Sequence, residues 1–343
     1  MKDQAPTLRS AMREWLEVFK YPALQRSSYD RIEATARAQI YPCIGMNQID
    51  KITVEDLQNT LSAVMEKGLS YSTARKTYLL LSEFFRYLER SEILEDNPMR
   101  FIEPIKKSVY LSAQGKELQP LNETVTVFTE EEIEQLRKEA FFCYANGKQK
   151  HQQPGAYFLM LNTGLRRGEL CGLLNSDIDL NERMLHVRRA VKEYKRRKGN
   201  EIISGEDKCV GLPKTATSVR DIPLNNTAID MIDRLRKERW FGIDHPLVPD
   251  SNGDFTKPVY LHRRFQRLQK SAGLAEIKGL HALRHTFATR LINGIVMPDG
   301  TRKCLSVKEV ADLLGHTTTE ITELYYVRKD ELGIMGLTDI FNL

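Results

Sequence analysis

Apolar residues recur every three or four positions through the first hundred residues, and this helical period restricts the fold more than any other feature. Leu8, Met12, Trp15, Leu16 and Phe19 share one helical face, and Tyr29, Ile32, Ala36 and Ile40 share another. Pro42 and Gly45 are expected to break that second helix. Thr53 with Asp56 reads as a capping box opening a third helix, whose apolar side carries Val54, Leu57, Leu61, Val64 and Met65. A fourth begins near Ser70 and carries Ala74, Tyr78, Leu81, Phe85 and Leu88, until Asn97-Pro98 closes the run. From Met99 to about Phe128 the period disappears, and Pro104, the Lys106-Lys107 pair, Gly115 and Pro120 mark a linker. The resulting division is a helical domain over residues 1–108, a linker over 109–127 and a second domain over 128–343.

The second domain opens on another capping box, Thr129 with Glu132, followed by helices near 129–141 and 155–173. A β-like section comes next, with Met184-Leu185-His186-Val187 and Ser218-Val219-Arg220-Asp221-Ile222-Pro223-Leu224 on either side of a polar stretch. Helical patterns resume near 226 and run to the end. The class expected is mainly α with a small β-sheet (α+β). A chain of 343 residues also exceeds what one core serves well, since single cores stop growing near ~250–300 residues.

Composition excludes several roles. No run of ~18 apolar residues occurs, so no membrane span is expected, and the first residues lack the apolar stretch of a secretion signal. The five cysteines, Cys43, Cys143, Cys171, Cys209 and Cys304, lie far apart without metal-ligand spacing. That pattern argues against zinc or any other metal and for a reducing, cytoplasmic setting. A formal net charge of +5 permits a phosphate-rich partner without requiring one.

Four clusters in the second domain carry chemistry. In Asn162-Thr163-Gly164-Leu165-Arg166-Arg167-Gly168-Glu169-Leu170, a glycine break places Arg166 at a helix start, which favours anions. Lys214-Thr215 precedes Arg220 on what reads as the far arm of a hairpin with the lysine at its tip. His281 and Arg284 are three apart and so share a helical face. In Leu313-Leu314-Gly315-His316 the glycine ends a helix, and nine residues after His316 stands Tyr325, followed by Tyr326. Thr317 with Glu320 is the cap expected for the helix bearing the two tyrosines. Breaking a phosphodiester without metal or water needs this equipment. Arginine forks neutralise the non-bridging oxygens, a nucleophile attacks in line, and an acid protonates the leaving oxygen. Tyrosine suits the attack when bond energy must be stored for resealing.

In these clusters the chain resembles the phage integrase, or tyrosine recombinase, family, and most nearly the integrases of conjugative transposons. The resemblance spans nearly the whole chain. It implies a helical core-binding domain followed by a tyrosine recombinase catalytic domain. It also implies site-specific recombination of a mobile element through a 3′-phosphotyrosine intermediate, with no cofactor. Residue by residue, Arg166 matches the first catalytic arginine and Lys214 the hairpin lysine. His281 and Arg284 match the His-x-x-Arg pair, His316 the second histidine position and Tyr325 the nucleophile. Glu169 and His285 are expected to support them from behind. Arg166 and Arg284 would grip the scissile phosphate with help from His281 and His316, while Lys214 protonates the departing 5′-hydroxyl.

The implied partner is double-stranded DNA carrying recombination sites, clamped between the two domains. Candidate backbone contacts are Ser72, Arg75 and Lys76 on the fourth helix. The basic run Lys195, Arg196, Arg197 and Lys198, within a longer series from Arg188, supplies the others. The apolar tail Ile334, Met335, Leu337, Ile340 and Phe341 suggests a dimer to tetramer on DNA, and an accessory excision or bending protein is a further partner. The chain departs from common members in three ways. It lacks an N-terminal arm-binding domain, being either trimmed or of the simpler type; it has a long hairpin over Val191–Leu212; and Met297–Cys304 is inserted. Two alternatives remain at this stage: a type IB topoisomerase-like nicking-closing enzyme and a catalytically inactive DNA-binding regulator on the same fold.

Overall fold

The structure, a computed structural model, describes residues 5–117, 125–198, 201–212, 216–296 and 302–326. The chain divides into two units, Met1–Leu118 with Tyr194–Asp207, and Gln119–Glu193 with Lys208–Leu343.

The first unit is helical: α1 (Leu8–Trp15), α2 (Arg26–Thr35), α3 (Tyr41–Ile44), α4 (Val54–Glu66), α5 (Tyr71–Arg90) and α6 (Lys107–Ser112). Its core buries Leu8, Met12, Trp15, Leu57, Leu61, Leu81, Phe85 and Leu88, on the faces anticipated from the period, and Phe84 besides. Phe19 and Val54 are exceptions, 49% and 38% exposed, and Phe19 leans on the Tyr87 ring at 4.9 Å. The Thr53–Asp56 capping box forms, with Asp56 N donating to Thr53 Oγ1 at 3.2 Å and Thr53 N to Asp56 Oδ2 at 2.9 Å.

Pro42 does not break the second helix. The chain opens into one wide turn over Ala36–Ile40, where the Tyr41 N–H reaches back to the Ala36 carbonyl, and Pro42 then falls in the first turn of α3. A proline is tolerated there because that N–H has no helical acceptor to lose. Part of the expected linker is folded too. α6 sends Tyr110 into a fully buried site beside Val64 and Ala74, and its hydroxyl donates to the Leu69 carbonyl at 2.8 Å.

The second unit contains α7 (Glu130–Ala140), α8 (Gly155–Thr163), α9 (Arg167–Gly172), β1 (Ile178–Asp179), β2 (Met184–Val187), β3 (Ala190–Lys198) in part, β4 (Glu201–Gly211) in part, β5 (Arg220–Pro223) and α10 (Asn226–Glu238). It continues with α11 (Pro258–Ser271), α12 (His281–Asn293), β6 (Ile295–Val296), β7 (Arg302–Lys303), α13 (Val307–Leu314) and α14 (Thr319–Tyr326). β1, β2 and β5 form an antiparallel sheet in which Leu185 faces Ile222 and Val187 faces Arg220. α8 buries every residue from Gly155 to Leu161, as a helix apolar all round must, and occupies the middle of this core. A mainly α protein with small antiparallel sheets is the observed class. The segment read as an insertion begins and ends in the β6–β7 pair, with Ile295 opposite Lys303; residues 297–301 lie outside the described ones.

The outer part of the β3–β4 hairpin belongs to the first unit, where Arg197 is its anchor. Its guanidinium, 10% exposed, donates to Asp30 Oδ1 at 2.7 Å and Glu33 Oε2 at 2.6 Å and lies over the Tyr29 ring at 4.9 Å. Burial works against its charge, but the Glu33 and Asp30 carboxylates prevail and raise its pKa. The Lys195 N–H donates to Asp30 Oδ2 at 2.6 Å, and Arg26 lies over the Tyr194 ring at 5.1 Å. Arg197, expected as a DNA contact, is thus held here by carboxylates of α2, which a charge run in the sequence does not disclose.

Candidate active site

Two left-handed glycines set the geometry. Gly164 ends α8 at φ +64°, and a Cβ there would meet the Phe287 ring at 2.6 Å. Gly315 ends α13 at φ +65°, and a Cβ there would meet the Thr217 carbonyl at 2.8 Å. Only glycine fits both the conformation and the space. The first reversal puts Arg166 at the start of α9, where its N–H donates to Glu169 Oε2 at 2.9 Å and its Nη1 to Glu169 Oε1 at 2.7 Å. The second sends the His316 N–H back to the Ala311 carbonyl and the Gly315 N–H to that of Asp312.

Three carbonyls at the end of α13 are then still open, and each meets its own arginine. Arg220 Nε donates to the Leu313 carbonyl at 2.7 Å, Arg284 Nη2 to that of Leu314 at 2.7 Å, and Arg166 Nη2 to that of Gly315 at 3.1 Å. The negative end of the helix dipole suits this gathering of cations. Arg284 is 1% exposed and also donates from Nη1 to the Gly164 carbonyl at 2.7 Å, so it binds both reversals together. Burial, then the nearby Arg166, lower its pKa to about 9, which leaves it charged at neutral pH.

His316 sits between Arg284 and α14. Its Nε2 is 3.1 Å from Arg284 Nη2, and its Nδ1 is 2.8 Å from the Oγ1 of the buried Thr322. Arginine can only donate, so Nε2 accepts and the proton of the neutral ring is on Nδ1. Thr322 was not anticipated, although its place six residues after His316 puts it on the tyrosine helix. His285 shares a 2.6 Å hydrogen bond between its Nδ1 and the hydroxyl of Tyr326, which is buried against Ala288, Val310 and Leu314. The His281 ring stands edge-on to that of His285 at 4.8 Å.

Burial, followed by neighbouring cations, pushes His281, His285 and His316 each down to about 4. All three are neutral in the folded site at pH 7. The unfolded chain takes up these protons near ~6.5, so stability is complete above that pH and is lost as pH falls toward 4. Melting followed from pH 7 to pH 5 is expected to show a falling Tm, with a shallower slope in His285→Asn; an equal slope would remove His285 from the linkage.

Of the expected catalytic set, Arg166, His281, Arg284 and His316 converge, with Glu169 and His285 behind them. Lys214 lies outside the described residues. Tyr325 is on α14, which begins at Thr319, two residues after the expected cap Thr317; the Tyr325 side chain is outside the described set. Ser72, Arg75 and Lys76 are exposed together on α5. Lys195 pairs with Glu206 at 2.7 Å and Arg196 with Asp207 at 2.8 Å, while Lys198 is exposed. A basic face went unread in the sequence. Tyr260, Arg263, Arg267 and Lys270 recur at helical spacing on the outside of α11 and line, with Arg264 and Gln152, a cleft of about 550 Å³. Among the described residues there is no cluster of His, Cys, Asp or Glu able to hold a metal, and no helix long and apolar enough to cross a membrane.

Residues 126–331 match the phage integrase family, and residues 8–103 match the phage integrase central domain. The chain belongs to the phage integrase family. It is a site-specific recombinase, an enzyme that cleaves and rejoins DNA as this family does. A tyrosine recombinase XerC-like protein of Caldanaerobacter subterraneus is 27% identical over 98% of this chain and 84% of its own length. The tyrosine recombinase XerC of Bacillus subtilis is 23% identical over 89% of this chain and 85% of its own. Among solved structures, the Tn1549 transposon integrase in complex with a circular intermediate DNA superposes with a TM-score of 0.72. It is 24% identical and covers 98% of this chain and 99% of that one. A lambda integrase dimer bound to a core site superposes at 0.64, with 17% identity over 96% of this chain and 79% of that one. These structural likenesses establish the integrase fold.

Proposed function

We propose that this recombinase acts on double-stranded DNA through Tyr325, with Arg166 and Arg284 holding the scissile phosphate and Lys214 protonating the 5′-hydroxyl that leaves. The gathering of Arg166 and Arg284 on one helix end carries the reading. Their forks are already held in place by backbone carbonyls, with Arg284 buried and Arg166 partly open to solvent, so a phosphate meets donors that need little reorganisation. The phosphate's negative charge raises the pKa of His281 and His316, favouring forms that donate to it. Tyr326 spends its hydroxyl on His285 inside the core, which supports Tyr325 as the nucleophile.

DNA backbone contacts are assigned to two faces, Ser72, Arg75 and Lys76 on α5 and Arg263 and Arg267 on α11. Each phosphate neutralised releases counterions, so affinity falls with salt at a log–log slope of about −0.9 per contact. Arg263→Ala with Arg267→Ala is expected to flatten a gel-shift salt titration by about two such units; an unchanged slope would clear α11 of the DNA. The solved Tn1549 and lambda integrases are DNA complexes, including a lambda dimer and a lambda tetramer on a Holliday junction. They support a dimer-to-tetramer assembly here, with the mobile element's own ends as substrate. The expected tail contact, from Ile334 to Phe341, lies outside the described residues.

The deciding experiment supplies two DNA molecules bearing the element ends and looks for joined products. Recombinant junctions are expected. Relaxation of supercoils without joined products would instead favour a nicking-closing enzyme, and tight binding with no cutting would favour a regulator.

A further inference from the structure

We propose that Arg220 is a positioning residue for DNA cleavage, acting through Glu169 on Arg166; the inference rests on the phosphate-holding role given to Arg166. Arg220 has a side chain that is 6% exposed, and each of its three guanidinium nitrogens donates to a group inside the protein. Nε goes to the Leu313 carbonyl at 2.7 Å, Nη1 to the Ser218 carbonyl at 3.1 Å and Nη2 to Glu169 Oε2 at 3.0 Å.

Glu169 is where this acts. Its carboxylate is 3% exposed and receives three donors: the Arg166 N–H, Arg166 Nη1 and Arg220 Nη2. Burial opposes its charge, and Arg220 first and Arg166 second overcome this and lower its pKa. A buried carboxylate shared between two arginines pulls on both. Without Arg220, Glu169 keeps one guanidinium partner and draws Arg166 toward itself, away from the Gly315 carbonyl and the side that faces solvent. With Arg220 in place, Arg166 is 33% exposed and divides its Nη1 between Glu169 and Ser218 Oγ at 3.3 Å.

The same residue fixes the other side of the site. Arg220 opens β5, and its Cδ lies 3.2 Å from where a Cβ on Gly315 would stand, so it packs against the reversal that delivers His316. One guanidinium therefore ties the sheet to the end of α13 and to the carboxylate that orients Arg166. Lysine could restore the charge on Glu169 but not the three-way fork.

The test measures single-turnover covalent trapping and DNA affinity for wild type, R220Q, R220K, E169Q and the E169Q/R220Q double variant. R220Q is expected to cleave roughly 10–100-fold more slowly, as removal of such supporting partners does, with an affinity within about threefold of wild type. R220K should recover part of that loss. The double variant should be no slower than E169Q, because the two residues act along one path. A wild-type rate in R220Q, or losses that multiply in the double variant, would overturn the inference. If R220Q no longer binds DNA, the cycle is read with R220K and an E169Q/R220K double variant, where multiplying losses overturn it equally. Absence of any adduct from wild type would sink the proposed function instead, so the two failures are distinguishable.

Discussion

Tyr325→Phe is expected to abolish the covalent protein–DNA adduct on a nicked substrate carrying the element end, while Tyr326→Phe retains it. Phenylalanine removes the hydroxyl oxygen that Tyr325 would use to attack phosphorus. The loss should reach the detection limit, with DNA binding kept, since the phosphate contacts assigned to Arg166, Arg284 and the α5 and α11 faces remain. Tyr326→Phe forfeits one buried hydrogen bond to His285, worth about 1 kcal/mol, and leaves a ring of the same shape in the core. A small drop in Tm with near-normal trapping is its signature. If Tyr326→Phe is the variant that loses the adduct, the nucleophile is one residue later and His285 is its partner.

Arg284→Ala is expected to slow cleavage about 10²–10³-fold, the loss of roughly 2.7–4 kcal/mol typical of one donor to a developing oxyanion. A second effect is predicted alongside it. The Gly164 and Leu314 carbonyls both depend on this guanidinium, and orphaning a buried acceptor costs about 1–3 kcal/mol, so Tm should fall as well. Arg284→Lys separates the two. A lysine can satisfy one carbonyl at a time but cannot reproduce the planar fork, so it should regain more stability than activity. Cleavage in Arg284→Ala near the wild-type rate, on DNA it still binds, would take Arg284 out of the site.

Much of the site was legible because its parts are local. Capping boxes at Thr53 and Thr129, the reversals at Gly164 and Gly315 and the His281–Arg284 spacing each depend on residues within a few positions, and all form as the pattern implies. What escaped depends on partners distant in the chain. Arg197 reads as one more exposed cation until Asp30 and Glu33 are beside it. Tyr110 stands in a stretch with too few apolar residues to show a period, yet it fills a cavity left by α4 and α5. Arg220 looks like an ordinary strand residue because two of its acceptors come from positions 169 and 313. The α11 stripe is a different case: Tyr260, Arg263, Arg267 and Lys270 stand at helical spacing in the sequence itself.

The end of α13 has a consequence for how this segment can change over time. Arg220, Arg284 and Arg166 are received by main-chain oxygens of Leu313, Leu314 and Gly315, atoms that every amino acid possesses. Exchange of the side chain at position 313, which is only partly buried, leaves its carbonyl where it was. Inserting or deleting one residue in the helix is another matter, since it turns the whole ladder of carbonyls by about 100° and misplaces all three acceptors at once. Position 313 is thus permissive toward spelling, Gly315 is not, and the stretch is intolerant of length, so lineages descended from this protein should vary at 313 by replacement while keeping the count of residues unchanged.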